Sequence, residues 1–278
     1  MCLIAFAINA SPRWPLVIAS NRDEFLDRPT RPLARWKTAS GQEIISGRDE
    51  RAGGTWLGVT LNGRVAFLTN VHEPKCGSAL SSRGELVTRW LEGNGTVDKF
   101  SAVLQNSDAT YSGFNLVLGD LQRNAWTWLT NRSTAVNSRW QAQALLPGVY
   151  GLSNAALDTP WPKTVELKRV LSSALLQSEE SDSLYGPLWS ALAKRAQMPP
   201  TKFSKIGIFQ AMEPAATSAF VDIPEHAYGT RSSTVLVVSK HQDQSPETSY
   251  RTEVRERTHM RESADEVVVG FKTSIVTI

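Results

Sequence analysis

The chain has 278 residues, 41% hydrophobic and 21% charged, and its 30 basic and 27 acidic residues give a net charge of +3. This composition is typical of a soluble globular protein, and so balanced a charge argues against a nucleic-acid-binding face, which needs a concentrated basic surface. Two cysteines are too few for a disulfide framework, and neither an apolar span of ~18–20 residues nor a secretory signal is visible, so we expect a cytoplasmic protein with no membrane span.

The first two predicted strands bring a cysteine and a polar cluster to one edge of a sheet. Residues 3–9 and 16–20 are short apolar runs separated by a turn, and they predict an antiparallel pair of buried strands. A polar tetrad follows them, namely Asn21, Arg22, Asp23 and Glu24. Because these side chains cannot all continue a buried strand, we expect the chain to turn there. In an antiparallel pair, the tetrad then lies beside Cys2.

The rest of the chain alternates between strands and helices. Two prolines interrupt regularity near residue 30, and the segment from there to residue 47 is interpreted as a loop. Asn62-Gly63 between apolar runs predicts a two-residue hairpin, and Gly53-Gly54 before it marks a crowded backbone. Ser82 and Glu85 have the spacing of a helix capping box. Further helices are predicted near 97–104, 161–176 and 184–195, and further strands at 114–118, 125–129, 149–152, 234–238, 249–254 and 267–271.

This order of elements predicts the fold class and the domain organisation. No linker interrupts the chain, so one domain is expected over residues 1–278. Antiparallel sheets with helices packed outside them are the simplest layered arrangement of such a sequence. The predicted class is therefore α+β.

Cys2 is the principal candidate nucleophile. If Met1 is removed, Cys2 carries a thiol and a free α-amine, with reference pKa values of roughly 8.5 and 7.7–8.0, so one can deprotonate the other near neutrality. We expect its thiolate fraction to exceed that of an ordinary cysteine, because the amine and nearby arginines favour the anion. The alternative is a small, inert cysteine at the start of a buried strand.

Other polar residues stand at the ends of apolar strands. Asn70 and Asn154 each end such a strand and provide neutral donors suited to an oxyanion hole. Arg231 stands at the mouth of a later strand, where an arginine can hold an anionic group or lower a thiol pKa. Taken singly, residues of these types are more often caps or turn residues. The candidate substrate contacts are Asn21, Glu24, Trp56 and His72.

Motifs for metals and cofactors are missing from the sequence. The four histidines lack the spacing of metal ligands, and there is neither a CxxC pair nor a Gly-rich phosphate loop. No motif for covalent or thiolate haem ligation is present. We therefore expect no metal and no bound cofactor.

Several long motifs together resemble the NRDE family, which includes the transport and Golgi organisation protein 2 proteins of eukaryotes. In chain order these motifs are MCLIAFAINA, IASNRDEF, GGTWLGVT, VAFLTN, SRGELVT, GFNLVLGD, YGLSNAALDTPWPK and YGTRSSTVLVV. The resemblance extends over nearly the whole chain and implies a four-layer αββα sandwich of the N-terminal-nucleophile hydrolase type. Family links to secretory-pathway organisation, lipid and acyl-CoA metabolism and haem trafficking leave the reaction open.

The pattern is also similar to the cysteine-nucleophile amidases of the bile-salt hydrolase and penicillin V acylase group. Those enzymes use an N-terminal Cys, a nearby Arg and Asp, two Asn residues and a late Arg. The positions that correspond to the cysteine, the asparagines and the late arginine are Cys2, Asn70, Asn154 and Arg231. The tetrad departs from the amidase Arg-x-x-Asp, because Asn21 and Glu24 hold that spacing. Strand alternation points Arg22 and Asp23, which lie between them, to opposite faces.

Two functions follow from these observations. In the first, the protein is a hydrolase of an amide or thioester in a small or lipid-like molecule. Cys2 attacks the carbonyl, its own amine relays the proton, and Asn70 and Asn154 stabilise the oxyanion. The residues that orient thiol and substrate are then Arg22 and Arg231 with Asp23 or Glu24. In the second, the same cleft belongs to a non-catalytic carrier of a hydrophobic anion such as haem or an acyl chain.

Overall fold

The computed structural model describes residues 2–71, 81–133, 139–195, 218–241, 249–259 and 264–274. In chain order its strands are β1 (Cys2–Ile8), β2 (Leu16–Phe25), β3 (Thr30–Lys37), β4 (Glu43–Asp49), β5 (Leu57–Val59), β6 (Arg64–Asn70), β7 (Phe114–Asp120), β8 (Ala125–Thr130), β9 (Gln141–Ala144), β10 (Gly148–Leu152), β11 (Asp222–Ile223), β12 (Tyr228–His241), β13 (Ser249–His259) and β14 (Ala264–Ser274). Its helices are α1 (Gly84–Glu92), α2 (Val97–Gln105), α3 (Pro162–Gln177) and α4 (Ser181–Leu192). None of the helices in these ranges is long and apolar enough to cross a membrane.

The strands pair into two seven-stranded sheets. The first sheet has the order β10-β1-β2-β12-β13-β14, and the short β11 pairs with β12. The second sheet follows the chain from β3 to β9. The pairs within both sheets are antiparallel. This arrangement agrees with the predicted α+β class and with the predicted pairing of the first two strands.

Three hydrophobic clusters hold these elements together, and burial of their apolar surface is the main driving force for folding. One cluster joins the two sheets and includes Phe6, Phe67 and Leu236. A second joins the first sheet to α3 and α4 and includes Leu3, Leu171 and Leu188. The third joins the second sheet to α1 and α2 and includes Trp90, Leu104 and Leu116.

Side-chain alternation in β1 and β2 decides which core each polar residue faces. Even-numbered residues of β1 pack in the cluster between the sheets, and odd-numbered residues pack against α3 and α4. The same period of two places Cys2 and Arg22 on the face towards the second sheet. Asn21 and Asp23 consequently lie on the face towards the helices.

Two predictions for the N-terminal region are wrong. β2 does not end before the tetrad but continues to Phe25, because β12 pairs with it as far as Tyr228 and keeps that backbone hydrogen-bonded. The segment that follows is not a loop, since it forms β3 and β4. Pro32 is accommodated there because β3 is an edge strand whose pairing with β4 is irregular at this point.

Predictions from short sequence motifs elsewhere in the chain are partly right. A hairpin forms at Asn62-Gly63, but its loop has three residues, 61–63, rather than the predicted two. The Gly63 N–H donates to the Thr60 carbonyl, and within this loop Gly63 alone has a positive φ, 78°. Pro162 is the first residue of α3, as its fixed φ predicts. The capping box is wrong, because α1 begins after Arg83 without any side-chain cap. The sequence analysis also missed β9 and β11.

Gly151 allows α3 to pack closely on β10. A Cβ at this position would lie 2.4 Å from Thr164 Cγ2 and 2.8 Å from Lys168 Cδ, which is closer than real contacts allow. The backbone N–H of Gly151 donates to Asp158 Oδ1 at 2.8 Å, and Lys168 Nζ lies 2.5 Å from the same oxygen. These contacts fix the first turn of α3 beside the end of the first sheet that contains Cys2.

Gly151→Ala is therefore expected to lower the free energy of unfolding by about 1–3 kcal/mol, because the added methyl group must displace α3. Gly270→Ala is the matched control in β14, since nothing lies within 4 Å of a Cβ there. Its effect should stay within about 0.5 kcal/mol. Urea denaturation followed by circular dichroism measures both variants, and equal stability of the two would contradict the close packing of α3 on β10.

Candidate active site

Cys2 is the first residue of β1 and lies opposite Arg22 of β2 in the antiparallel register. Its side chain is only 8% exposed and lines a pocket at the end of the first sheet. Ser153, just after β10, donates a hydrogen bond from Oγ to the Cys2 carbonyl at 2.8 Å. This bond ties the end of β1 to the neighbouring chain segment. The predicted placement of the tetrad beside Cys2 is confirmed.

The pocket has a volume of about 100 Å³ and opens between the two sheets and α1. Among its described lining residues, three arginines are balanced by three acidic side chains. Gly54 brings α1 to the pocket, because a Cβ there would lie 2.5 Å from the carbonyl carbon of Gly84. The crowded backbone predicted at Gly53-Gly54 is thus confirmed at Gly54, whereas Gly53 has nothing within 4 Å of a Cβ and a positive φ of 76°. Trp56 and Asn70 contribute the wall from the second sheet.

Arg22 is held by contacts from the second sheet. Its guanidinium carbon lies 4.2 Å from the centre of the Trp56 ring, a cation–π distance. Nη1 donates to Thr30 Oγ1 at 3.3 Å, and Nη2 lies 3.9 Å from Asp49 Oδ2. Burial lowers the pKa of Arg22, while the carboxylates of Glu24 and Asp49 raise it. A guanidinium nevertheless stays protonated in proteins, so Arg22 is a fixed cation beside Cys2.

Glu24 belongs to an ionic network in the pocket lining. Arg28 Nε lies 2.7 Å from Asp49 Oδ2 and 3.8 Å from Glu24 Oε2. Arg22 Nη2 lies 4.0 Å from the same Glu24 oxygen. Glu24 therefore reaches the pocket as a partner of two arginines, and its predicted contact with substrate stays a prediction. Sequence analysis did not identify Arg28 or Asp49, because neither lies in a motif near Cys2.

Asp23 approaches Cys2 from the face towards the helices. Its Oδ1 accepts a hydrogen bond from Thr230 Oγ1 at 2.7 Å, and its carbonyl accepts one from Tyr228 Oη at 3.1 Å. Burial raises the pKa of Asp23, whereas the charges of the terminal amine and of Lys163, the bond from Thr230 and the charge of Arg22 lower it. Arg22 and Asp23 thus lie on opposite faces of β2, as alternation predicted, and both line the pocket.

Asn21 faces the interior and is not among the pocket-lining residues. Its Nδ2 donates to the carbonyls of Leu192 and Ala219 at 2.9 and 2.8 Å. Its Oδ1 accepts a hydrogen bond from Ser233 Oγ at 2.6 Å. The structure therefore corrects the prediction that Asn21 contacts substrate, because its polar atoms join β2 to α4 and β12.

The two asparagines of the predicted oxyanion hole lie close together. Asn154 Nδ2 donates to the Asn70 carbonyl at 2.8 Å, and Asn154 is buried. Asn70 itself lines the pocket across from Cys2. Asn70 is thus the direct candidate for a donor to substrate, and Asn154 fixes the backbone of Asn70.

Arg231 lies at a β-bulge in β12, outside the pocket lining. Its Nη1 donates to the carbonyls of Phe25, Leu26 and Arg28 at 2.9, 3.0 and 3.0 Å. These bonds hold the segment after β2, which carries Arg28 into the pocket. The described contacts of Arg231 are thus with backbone carbonyls, and its predicted role as a clamp for substrate or an activator of the thiol stays a prediction.

Burial raises the pKa of the Cys2 thiol, and the charge of Asp23 adds to this effect. The charge of the terminal amine, a hydrogen bond from the Asp23 backbone N–H and the charge of Arg22 lower the pKa, but the net direction is upward. This direction belongs to the chain that still carries Met1, so the prediction of an unusually acidic thiol at a free N-terminal Cys2 stays a prediction.

Sequence analysis missed Lys163, a buried cation whose charge interacts with Asp23 and Cys2. The available signal was its place in the apolar stripe of α3, where a lysine is unexpected. His72 lies outside the described residues, as does Met1. In the described part of the chain, no group of three or more His, Cys, Asp and Glu side chains could hold a metal ion.

Comparisons with known proteins identify the family of this chain and a solved structure with a similar fold. The family model "Transport and Golgi organisation 2" matches residues 1–252. The Transport and Golgi organization protein 2 homologs of Homo sapiens and Bos taurus are 34% and 33% identical over 253 and 251 residues, which cover 86% of this chain and 88% of each relative.

Among solved structures, the Caenorhabditis elegans N-acylethanolamine-hydrolyzing acid amidase ortholog gives a TM-score of 0.51 at 11% identity, covering 85% of this chain and 92% of that chain. Identity this low concerns the fold alone, which this chain shares with that amidase ortholog. Because the family model matches most of the sequence and relatives share a third of their residues with it, this chain belongs to the Transport and Golgi organisation 2 family.

Proposed function

We propose that this protein is an N-terminal-nucleophile hydrolase that cleaves an amide or thioester bond in a small or lipid-like substrate. The observation that carries the proposal is the position of Cys2 in the pocket, opposite Arg22 and across from Asn70. The fold shared with an enzyme named as an amidase adds support. The pocket volume of about 100 Å³ is below the ≈ 300–1,000 Å³ of sites for drug-sized ligands, so it suits a reacting carbonyl better than a whole haem.

The reaction begins once Met1 has been removed and Cys2 carries a free α-amine. As Sγ attacks the carbonyl carbon, the amine accepts the thiol proton, and the oxyanion accepts a hydrogen bond from Asn70 Nδ2. Collapse of the tetrahedral species breaks the scissile bond, and the α-ammonium protonates the leaving amine or thiolate. Water then attacks the acyl-thioester, the amine again takes a proton, and the acid and the free thiol result.

This mechanism fits a thiol whose pKa is raised by burial. A preformed thiolate is not required, because the base removes the proton during the attack. Arg22, fixed by Trp56 and Asp49, stabilises the negative charge as it develops on sulfur. Asp23 accepts from Thr230 and keeps the end of β2 in register with β12.

The proposal extends to the order of layers. We infer that α3 and α4, the first sheet, the second sheet, and α1 and α2 are stacked as an αββα sandwich. Support comes from the three hydrophobic clusters, each of which joins one neighbouring pair of layers. In this arrangement the pocket opens at the ends of the strands between the two sheets.

The mature protein should begin at Cys2, because the mechanism needs a free amine on this residue. Intact-mass measurement of protein purified from cells decides this, and the expected mass lacks one methionine. Retention of Met1 in most molecules would remove the proposed base and contradict the mechanism.

Cys2→Ala should reduce hydrolysis by at least about 10⁴-fold, the scale seen when a catalytic nucleophile is removed. The assay is a panel of acyl p-nitroanilides and acyl thioesters of increasing chain length, with release of the leaving group measured. Cys76→Ser is the matched control and should keep full activity.

Hydrolysis that survives Cys2→Ala would contradict the proposal. If the unaltered protein hydrolyses nothing in the panel but binds haem or acyl-CoA tightly, and Cys2→Ala binds equally well, the protein is a carrier.

A further inference from the structure

A lysine occupies the buried stripe of α3. The residues that this helix turns towards the first sheet follow helical spacing and include Lys163, Leu167, Leu171 and Ala174. Apolar side chains fill the later positions, but the first is a lysine that is only 6% exposed. Because lysine is almost never fully buried without a partner, its position calls for an anion inside the protein.

The groups that act on Lys163 come from the two strands of the site. Burial lowers the pKa of Lys163, and the charges of Asp23 and Cys2 raise it. The interaction is reciprocal, since the charge of Lys163 lowers the pKa of Asp23. Both groups lie on β1 and β2, which belong to the sheet on which α3 packs.

The position of Lys163 is fixed by the packing of α3 on the first sheet. Its neighbour Thr164 packs against Gly151, where the missing Cβ lets α3 approach β10. Gly151 pairs with Ala5 of β1, and the chain after β10 bonds to the Cys2 carbonyl through Ser153. The first turn of α3 therefore lies over the end of β1 that carries Cys2.

We propose that Lys163 is a positioning residue of the active site, whose ammonium group is paired with Asp23 and offsets the carboxylate charge that opposes ionisation of Cys2. The inference rests on the proposed function of Cys2 as the nucleophile. Without Lys163, one of the cations that offset the charge of Asp23 beside Cys2 is lost, and the terminal amine and Arg22 remain. The thiol then gives up its proton less readily, and attack on the carbonyl slows.

The experiment measures alkylation of Cys2 by iodoacetamide across a range of pH in the full chain, with peptide mass spectrometry as the readout. Lys163→Met should move the midpoint of the pH profile upward and slow alkylation about tenfold at a pH below that midpoint, the effect of a shift of about one pH unit. Asp23→Asn should move the midpoint downward. Lys194→Met removes an exposed lysine paired with Glu166 and should change nothing.

The sign of the shift separates this role from a merely structural one. A variant that only loosens the fold exposes Cys2, and its midpoint falls towards the ordinary thiol value of about 8.5, because burial had raised it. An unchanged or lower midpoint in Lys163→Met would overturn the inference. If that variant does not fold, the double variant with Asp23→Asn removes both charges, and it must have a higher midpoint than Asp23→Asn alone.

Failure of this inference is distinguishable from failure of the proposed function. A shifted midpoint in Lys163→Met together with no hydrolysis of any substrate would leave the inference standing and reject the hydrolase. If hydrolysis depends on Cys2 but Lys163→Met leaves the midpoint unchanged, the proposed hydrolase stands and the inference about Lys163 is rejected.

Discussion

The antiparallel register of β1 on β2 sets Cys2 opposite Arg22, and the surrounding site is arranged around that pair. Because successive side chains of a strand point to opposite faces, the register directs Arg22 to the second sheet and Asp23 to the helices. On the face towards the second sheet, Trp56 and Asp49 contact Arg22. On the face towards the helices, Thr230 donates to Asp23 and the charge of Lys163 acts on it. A slip of one residue would exchange the two faces and separate every partner.

Burial is the second constraint on the chemistry. Desolvation alone disfavours each charged form, raising the pKa values of Cys2 and Asp23 and lowering those of Arg22 and Lys163. The site tolerates these groups because each face of β2 holds charges of both signs. Arg22 lies near Glu24 and Asp49 on one face, and Lys163 interacts with Asp23 on the other. A thiol whose pKa is raised by burial is consistent with the proposed attack coupled to proton transfer rather than with a standing thiolate.

Contacts between neighbouring strands in the sequence can be predicted from it, whereas contacts between residues far apart in the chain cannot. The apolar runs of β1 and β2 and the turn between them predict that the tetrad reaches Cys2, and the motifs predict the family. The burial of Asp23 depends on Thr230, which is 207 residues later in the chain, so no local pattern indicates it. Arg231 shows the same limit, because only the fold reveals that its guanidinium binds three carbonyls.

The central claim is that Cys2 carries the acyl group of the substrate during turnover. It is tested most directly by mixing the mature protein with an acyl thioester, quenching with acid at increasing times and mapping the adduct by peptide mass spectrometry. The account predicts an acyl group on the peptide that begins with Cys2, formed before the acid product and lost as that product accumulates. Product release while Cys2 stays unmodified at every quench time, or an acyl group on another residue, would contradict the account.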